Sequence, residues 1–260
     1  MNNNIHPSAV VSPKAQLGDG NRVGPFVVIE DDVVIGNGNT FMTGAVIKDG
    51  GRIGDNNMLH EYAVIAGTPQ DLGYKDIVSY AQIGSGNILR EHITIHRASK
   101  EHETTVVGNN NYLMAAAHIA HDCRCGNNVI MANGVALAGH VSIEDRAFLS
   151  GGVMVHQFTS VGTLAMIGGN SKITQDVLPY MITDGVPGRV RGLNLVGLKR
   201  AGLKYDDIKT LKSAYQQLLR SDEPLQDIII KLREMGSPHA THLADFVSAS
   251  KRGFHRETRD

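Results

Sequence analysis

The chain has 260 residues, 42% of them apolar but only 5% aromatic, with no Trp and 29 glycines. Its 25 Lys and Arg nearly balance 26 Asp and Glu, which argues against a nucleic-acid binder held by bulk charge, and no apolar run approaches the roughly 18 residues of a membrane span. Two cysteines are too few for a disulfide scaffold, and the start MNNNIHPSAV lacks the basic and apolar segments of a secretion signal, so a soluble cytoplasmic protein is expected.

Ile5, Val11, Leu17, Val23, Ile29 and Ile35 open a register of apolar residues six apart that runs to Ile173. Of its 29 positions only Asp71 and Glu101 are not apolar. A helix repeats every 3.6 residues and a plain strand every 2, so neither alone carries this period. Short strands joined by tight corners do, with one aliphatic residue per strand pointing inward. Gly or Asn often follows that residue, as in LGDGN, IGNGN, IGDNN, IGSGN and VGNNN; both tolerate the positive φ a corner needs. This is the hexapeptide signature of a parallel β-helix over residues 1–188. Three hexads make a triangular coil of 18 residues, which predicts nearly ten coils.

Two polar stretches break the pattern, AGTPQDLGYKDIVSY around Asp71 and RASKEHETTV around Glu101. Insertions in a solenoid form loops on one face, often the binding face. Beyond Ile173, YMITDGVPGRVRGLN reads as a Pro/Gly-rich crossing. After it YDDIKTLKSAYQQLLR, EPLQDIIIKLREM and HATHLADFVSAS read as three helices, a C-terminal α-helical cap over residues 189–260. The cap holds 14 Lys/Arg against 9 Asp/Glu, whereas residues 1–188 hold 11 against 17. A basic cap on an acidic coil is either a solvated helical surface or a dock for an acidic protein.

The segment AHIAHDCRCG, residues 117–126, concentrates the chemistry. Residues one coil apart stack on the same face. His121 therefore stacks over Gly139 and Gly139 over Gln157, Asp122 stacks over His140, and His156 stands beside Gln157. His118 precedes an inward position and projects outward. A coil has no deep pocket of its own, so such a cluster is enclosed only by a neighbouring subunit, most simply in a cyclic trimer. Histidine titrates near neutrality and suits proton abstraction from a hydroxyl. A Zn site of three convergent histidines, as in gamma carbonic anhydrase-like β-helices, stays open beside that reading, and so does a non-catalytic scaffold. Cys125 occupies an inward position, and C-x-C is not a C-x-x-C redox pair.

HIAHDC, LAGH, VHQF, QDVLPY and GLNLVGLKRAG together resemble the UDP-N-acetylglucosamine O-acyltransferases of lipid A biosynthesis, over essentially the whole chain. The resemblance implies an all-β left-handed parallel β-helix with a helical cap, forming a homotrimer without a cofactor. It implies transfer of an (R)-3-hydroxyacyl group from acyl carrier protein to the 3-hydroxyl of UDP-GlcNAc. His121 would be the general base, Asp122 its orienting carboxylate and Gly139 the oxyanion donor. His118, His140, His156 and Gln157 would position the substrates. Gln70, Asp71 and Leu72 would touch the sugar, and Asn194 and Arg200 the nucleotide and its phosphates. Met166 and Gly169 would lie along the acyl groove; Gly at 169 goes with a long chain, about C12–C16 by that resemblance, because a side chain there would shorten the groove. Gly73 before Tyr74 and Lys75, Val196 and Ala201 depart from the family pattern, all on the nucleotide-sugar side. A 3-amino analogue of UDP-GlcNAc is therefore an alternative acceptor.

Overall fold

The computed structural model describes residues 2–257. From Asn4 to Ile173 the chain winds through 26 short strands, nearly all of two residues, in three parallel sheets. The second residue of each pair is the hexad position and points inward. Phe41, Ile47, Leu59, Ile65, Ile95, Ile119 and Met131 are fully buried in this way. Each such side chain contributes about 1.5–3 kcal/mol on burial. Among the described strands, the open first coil alone leaves a hexad residue exposed, Ile5 at 42%.

Corners require a left-handed backbone residue. Phe26, Tyr62, Asp122, His140 and Phe158 all take φ between 56 and 61° there. One edge of the prism is tied by a buried ladder of stacked asparagines, Asn21, Asn39, Asn57, Asn87 and Asn111. The amides of Asn39, Asn57 and Asn87 each donate to the asparagine of the preceding coil, as in Asn39 Nδ2 to Asn21 Oδ1 at 3.1 Å and Asn87 Nδ2 to Asn57 Oδ1 at 3.0 Å.

The two sequence breaks are loops. Neighbouring coils are offset by 18 residues, but the offset is 30 across residues 66–79 and 24 across residues 98–103. The insertions are themselves multiples of six. They preserve the register while adding hexad positions, among them Ile77, that are not strands. The expectation of nearly ten coils is therefore too high; 26 strands make fewer than nine.

The three faces differ in their outward residues. The first carries Thr40, Met58, Ile88, Tyr112, Ile130, Phe148 and Met166. The second carries Val10, Val28, Val46, Val64, Thr94, His118, Ala136 and Met154. The third is mostly polar, with Gln16, Arg52, Gln82, Arg124, Ser142 and Ser160.

The Pro/Gly-rich crossing is an antiparallel hairpin of Met181–Asp184 and Arg189–Leu193, and its first strand extends the first face. The expected boundary at 188/189 falls in that hairpin. Among the described residues four helices follow rather than three: α1 (Leu195–Arg200), α2 (Tyr205–Arg220), α3 (Leu225–Glu234) and α4 (Pro238–Ala249). Asn194 caps α1, its Oδ1 accepting from Gly197 N at 3.0 Å. Leu198, Leu211, Leu232 and Leu243 build a second apolar core that reaches the coil through Leu164 and Leu178. Polar ties hold α4 on the third face. His242 Nε2 lies 2.8 Å from a Glu144 carboxylate oxygen, and Ser250 Oγ donates to Asp176 at 2.6 Å.

Candidate active site

The segment 117–126 turns the corner between the second and third faces. Strand His118–Ile119 buries Ile119 and sends His118 outward. Cys123 and Cys125 are both buried, and burial pushes both thiols up to about 12, so neither is a ready thiolate. Asp122 takes the left-handed corner at φ 61° while its N–H donates to Thr105 Oγ1 at 2.8 Å.

That turn presents the Asp122 carboxylate to His121, whose Nδ1 lies 2.7 Å from Oδ2. A carboxylate accepts only, so Nδ1 carries the proton and Nε2 keeps its lone pair. Burial would raise the Asp122 pKa, but hydrogen bonds from Ser99 and His121 more than offset it, and the carboxyl titrates below its usual range. One coil on, Gly139 lies under the His121 ring. A Cβ there would stand 2.6 Å from His121 Cε1 and 2.8 Å from Nε2. The neighbouring corner N–H groups are engaged, His140 donating to His121 O at 3.1 Å, while no internal acceptor for the Gly139 N–H is found among the described residues. The His140 ring stacks on Phe158 and meets His121 edge-on, with Nε2 3.5 Å from Asp122. His156 is exposed, its Nδ1 donating to Gln157 O at 3.1 Å.

Two histidines behind the corner are held neutral. Burial first, then the neighbouring His118, His121 and Arg97, push His96 down to about 4, and burial then His121 lowers His118. His118 Nδ1 shares a 2.7 Å hydrogen bond with Thr94 Oγ1, and His96 meets the His118 ring edge-on.

Most of the expected site residues fall into two grooves, with Asp122 and His140 behind the first. Gln70, His118, His121, Gly139, His156 and Gln157 line one of about 500 Å³ on the second face, with Ala136, Met154 and Lys172. Met166, Asn194 and Arg200 line another of about 690 Å³ on the first face, with Ile130, Phe148, Val196 and Ala201. Asn194 also spends its amide on the chain, Nδ2 donating to Leu164 O at 2.9 Å. Asp71 and Leu72 stand in solvent at the tip of loop 66–79, and exposed Gly169 lines neither groove. A Cβ at Gly169 meets nothing closer than Gly151 O at 3.5 Å, so the backbone tolerates a side chain there.

Ser99, Thr94, His96 and Arg97 were not read from the sequence as parts of this region. Ser99 lies 23 residues before Asp122, and the six extra residues of loop 98–103 hide what a one-coil step would have revealed. Among the described residues, three potential metal-ligand atoms gather within 4.8 Å in His121/Asp122/His140 and in His60/Glu61/Glu91. Neither is the trio of histidines that the zinc alternative requires.

Residues 176–255 match a family model described as Udp N-acetylglucosamine O-acyltransferase, Domain 2. A protein of Alkalilimnicola ehrlichii named acyl-[acyl-carrier-protein]–UDP-N-acetylglucosamine O-acyltransferase is 48% identical over 97% of this chain and 99% of its own length. One of Sinorhizobium fredii with the same name is 42% identical over 94% and 92%. The solved UDP-N-acetylglucosamine acyltransferase of Francisella novicida superposes with a TM-score of 0.95 at 38% identity, covering 98% of this chain and 95% of that one. That of Bacteroides fragilis superposes with 0.94, also at 38%, covering 97% and 100%. The fold is the left-handed parallel β-helix with a helical cap.

Proposed function

The chain belongs to the acyl-[acyl-carrier-protein]–UDP-N-acetylglucosamine O-acyltransferase family, and on that premise we propose that it moves a 3-hydroxyacyl group from acyl carrier protein to the 3-hydroxyl of UDP-GlcNAc, with His121 as general base. The observation that carries the reading is the 2.7 Å contact of His121 Nδ1 with Asp122, which leaves Nε2 basic above Gly139.

His121 Nε2 takes the proton of the sugar hydroxyl as its oxygen attacks the thioester carbonyl carbon. The carbonyl electron pair moves onto oxygen, where the Gly139 N–H receives it, a contribution of about 3–4 kcal/mol for such a donor. Collapse breaks the C–S bond, and the imidazolium returns its proton to the leaving thiolate. Asp122 stays ionised throughout and stabilises the imidazolium. His118, His140, His156 and Gln157 position the two substrates, with Gln70, Asp71 and Leu72 of loop 66–79 on the sugar.

The working unit is a homotrimer. The first and second faces are apolar outside as well as inside, with Val10, Met58, Ile88 and Met154 each at least 40% exposed. Around a threefold axis, with the edge between them inward, the first face of one subunit meets the second face of the next. The two grooves then share one interface. Met166, Asn194 and Arg200 oppose His121 of the neighbour, and Arg200 pairs with the nucleotide phosphates. Gly169, at the corner nearest the axis, lies at the inner end of the acyl path. The cap's excess of Lys and Arg suits an acidic carrier protein.

The test gives purified protein 3-hydroxyacyl carrier protein with UDP-GlcNAc or its 3-amino analogue, beside His121→Ala. Product with UDP-GlcNAc that disappears in the variant is expected. Product mainly with the amino analogue would reassign the acceptor and make Val196 and Ala201, which line the second groove, its determinants. No product with either would overturn the reading.

A further inference from the structure

We infer that Ser99 is a positioning residue of this reaction, the outer member of a relay Ser99–Asp122–His121 that fixes the carboxylate behind the base; the inference rests on the general-base reading of His121. Ser99 Oγ donates to Asp122 Oδ2 at 2.6 Å, and its N–H reaches Oδ1 at 3.1 Å and Oδ2 at 3.3 Å. Oδ2 is the same oxygen that faces His121 Nδ1. The hydroxyl and the imidazole therefore share one acceptor. Hydrogen bonds to an ionised group are the strong ones.

Ser99 is itself held rigidly. Arg97 N–H donates to Gly67 O at 3.0 Å, Ala98 N–H to Tyr80 O at 3.1 Å, and Ser79 Oγ to Ala98 O at 2.6 Å. These bonds tie loop 98–103 to both ends of loop 66–79. The loop that carries Gln70 and the corner that carries the base are thus built on one frame, and the six-residue insertion serves to deliver one serine.

Removing the hydroxyl leaves Asp122 with the Ser99 N–H and His121 Nδ1 as donors and loosens the carboxylate rotamer that aims His121. It also leaves more of the carboxylate charge to the imidazolium. The other titratable groups facing this corner, His96, His118 and His140, are unchanged by the substitution.

The experiment compares wild type, Ser99→Ala, Ser99→Thr and His121→Ala with 3-hydroxyacyl carrier protein and UDP-GlcNAc from pH 5 to 9. Ser99→Ala is expected to lose about tenfold in kcat, the worth of a modest charge-assisted hydrogen bond. KM for UDP-GlcNAc should change by less than about twofold, and the acidic limb of the kcat/KM profile should move upward. Ser99→Thr, which keeps the hydroxyl, should recover most of the rate and the wild-type limb. Ser99→Ala with wild-type kcat and an unmoved limb would overturn the inference. Equal loss in Ser99→Thr and Ser99→Ala would also overturn it, because the loss would then be loop packing. Activity that survives His121→Ala would sink the general-base reading instead, whatever Ser99 does.

Discussion

At the scale of single residues, the proposed chemistry rests on what Gly139 lacks. A methyl at Gly139 would occupy space 2.6 Å from His121 Cε1, so the ring must turn or the coil must shift. Gly139→Ala should therefore lose about 100-fold in kcat, more than loss of ring aim alone, because the proposed oxyanion donor moves with it. Its melting temperature should stay within a few degrees of wild type, since Gly139 does not sit at positive φ. Steady-state kinetics beside a thermal melt checks both. A second residue-scale outcome concerns pH. His96 is buried and titrates near 4 when folded against an ordinary value of 6.5. The unfolded chain binds the extra proton in that window, so this contribution to stability is present above 6.5 and lost progressively as pH falls towards 4. Each unit of such depression is worth about 1.4 kcal/mol. Melting temperature should drop between pH 7 and 5, and His96→Asn should flatten the slope if it folds. His121, Asp122, Gly139, His140 and Gln157 were legible in the sequence because eighteen-residue stacking puts them at one corner. His96 and Ser99 were not, because their partners are reached across a coil that carries an insertion.

At the scale of elements, loops and cap matter more than any one strand. Loop 66–79 is braced from beneath by Arg97, which donates to Tyr74 OH at 3.0 and 3.2 Å and to Ala66 O at 3.2 Å. Tyr74, one of the departures from the family spacing, is thus a structural part of the loop. Arg97→Ala should raise KM for UDP-GlcNAc several-fold with a smaller change in kcat, since loosening Gln70 costs ground-state and transition-state binding alike. The cap is latched by His242 on Glu144. The Glu144 hydrogen bond raises the His242 pKa, while at Glu144 burial pushes up and the His242 and Thr163 hydrogen bonds more than offset it, leaving that carboxyl lowered. The His242 contribution is full below 6.5 and lost as pH rises through its raised folded value; the Glu144 contribution is full above 4.5 and lost as pH falls through its lowered one. Amide exchange of α4 should therefore be slowest between those limits, and His242→Ala should speed it at pH 6 far more than at pH 9. Three of the four helices were legible from their apolar spacing. The six-residue α1 was not, because Leu195–Arg200 is too short for a helical period to emerge and was absorbed into the crossing.

At the scale of the whole molecule, the period of six made the coil legible almost residue by residue, yet it overcounted the turns because the insertions keep the same period. In a single chain the two halves of the proposed site stand apart. His121 lies on one groove, Asn194 and Arg200 on another, and both grooves border faces that carry exposed apolar side chains such as Ile88 and Met154. Charge on the first face should separate the subunits of the proposed trimer. Ile88→Arg, at a position 40% exposed in one chain, should sediment as a monomer and lose acyl transfer while its coil still melts cooperatively. The most direct test of the account mixes two inactive proteins. His121→Ala and Arg200→Ala are purified separately, dissociated, reassembled together and assayed with acyl carrier protein and UDP-GlcNAc. Activity returning towards about a quarter of wild type, the share of intact interfaces in randomly reassembled trimers, is the predicted result. A mixture as inactive as either parent would contradict a reacting centre built from His121 of one subunit and Arg200 of the next.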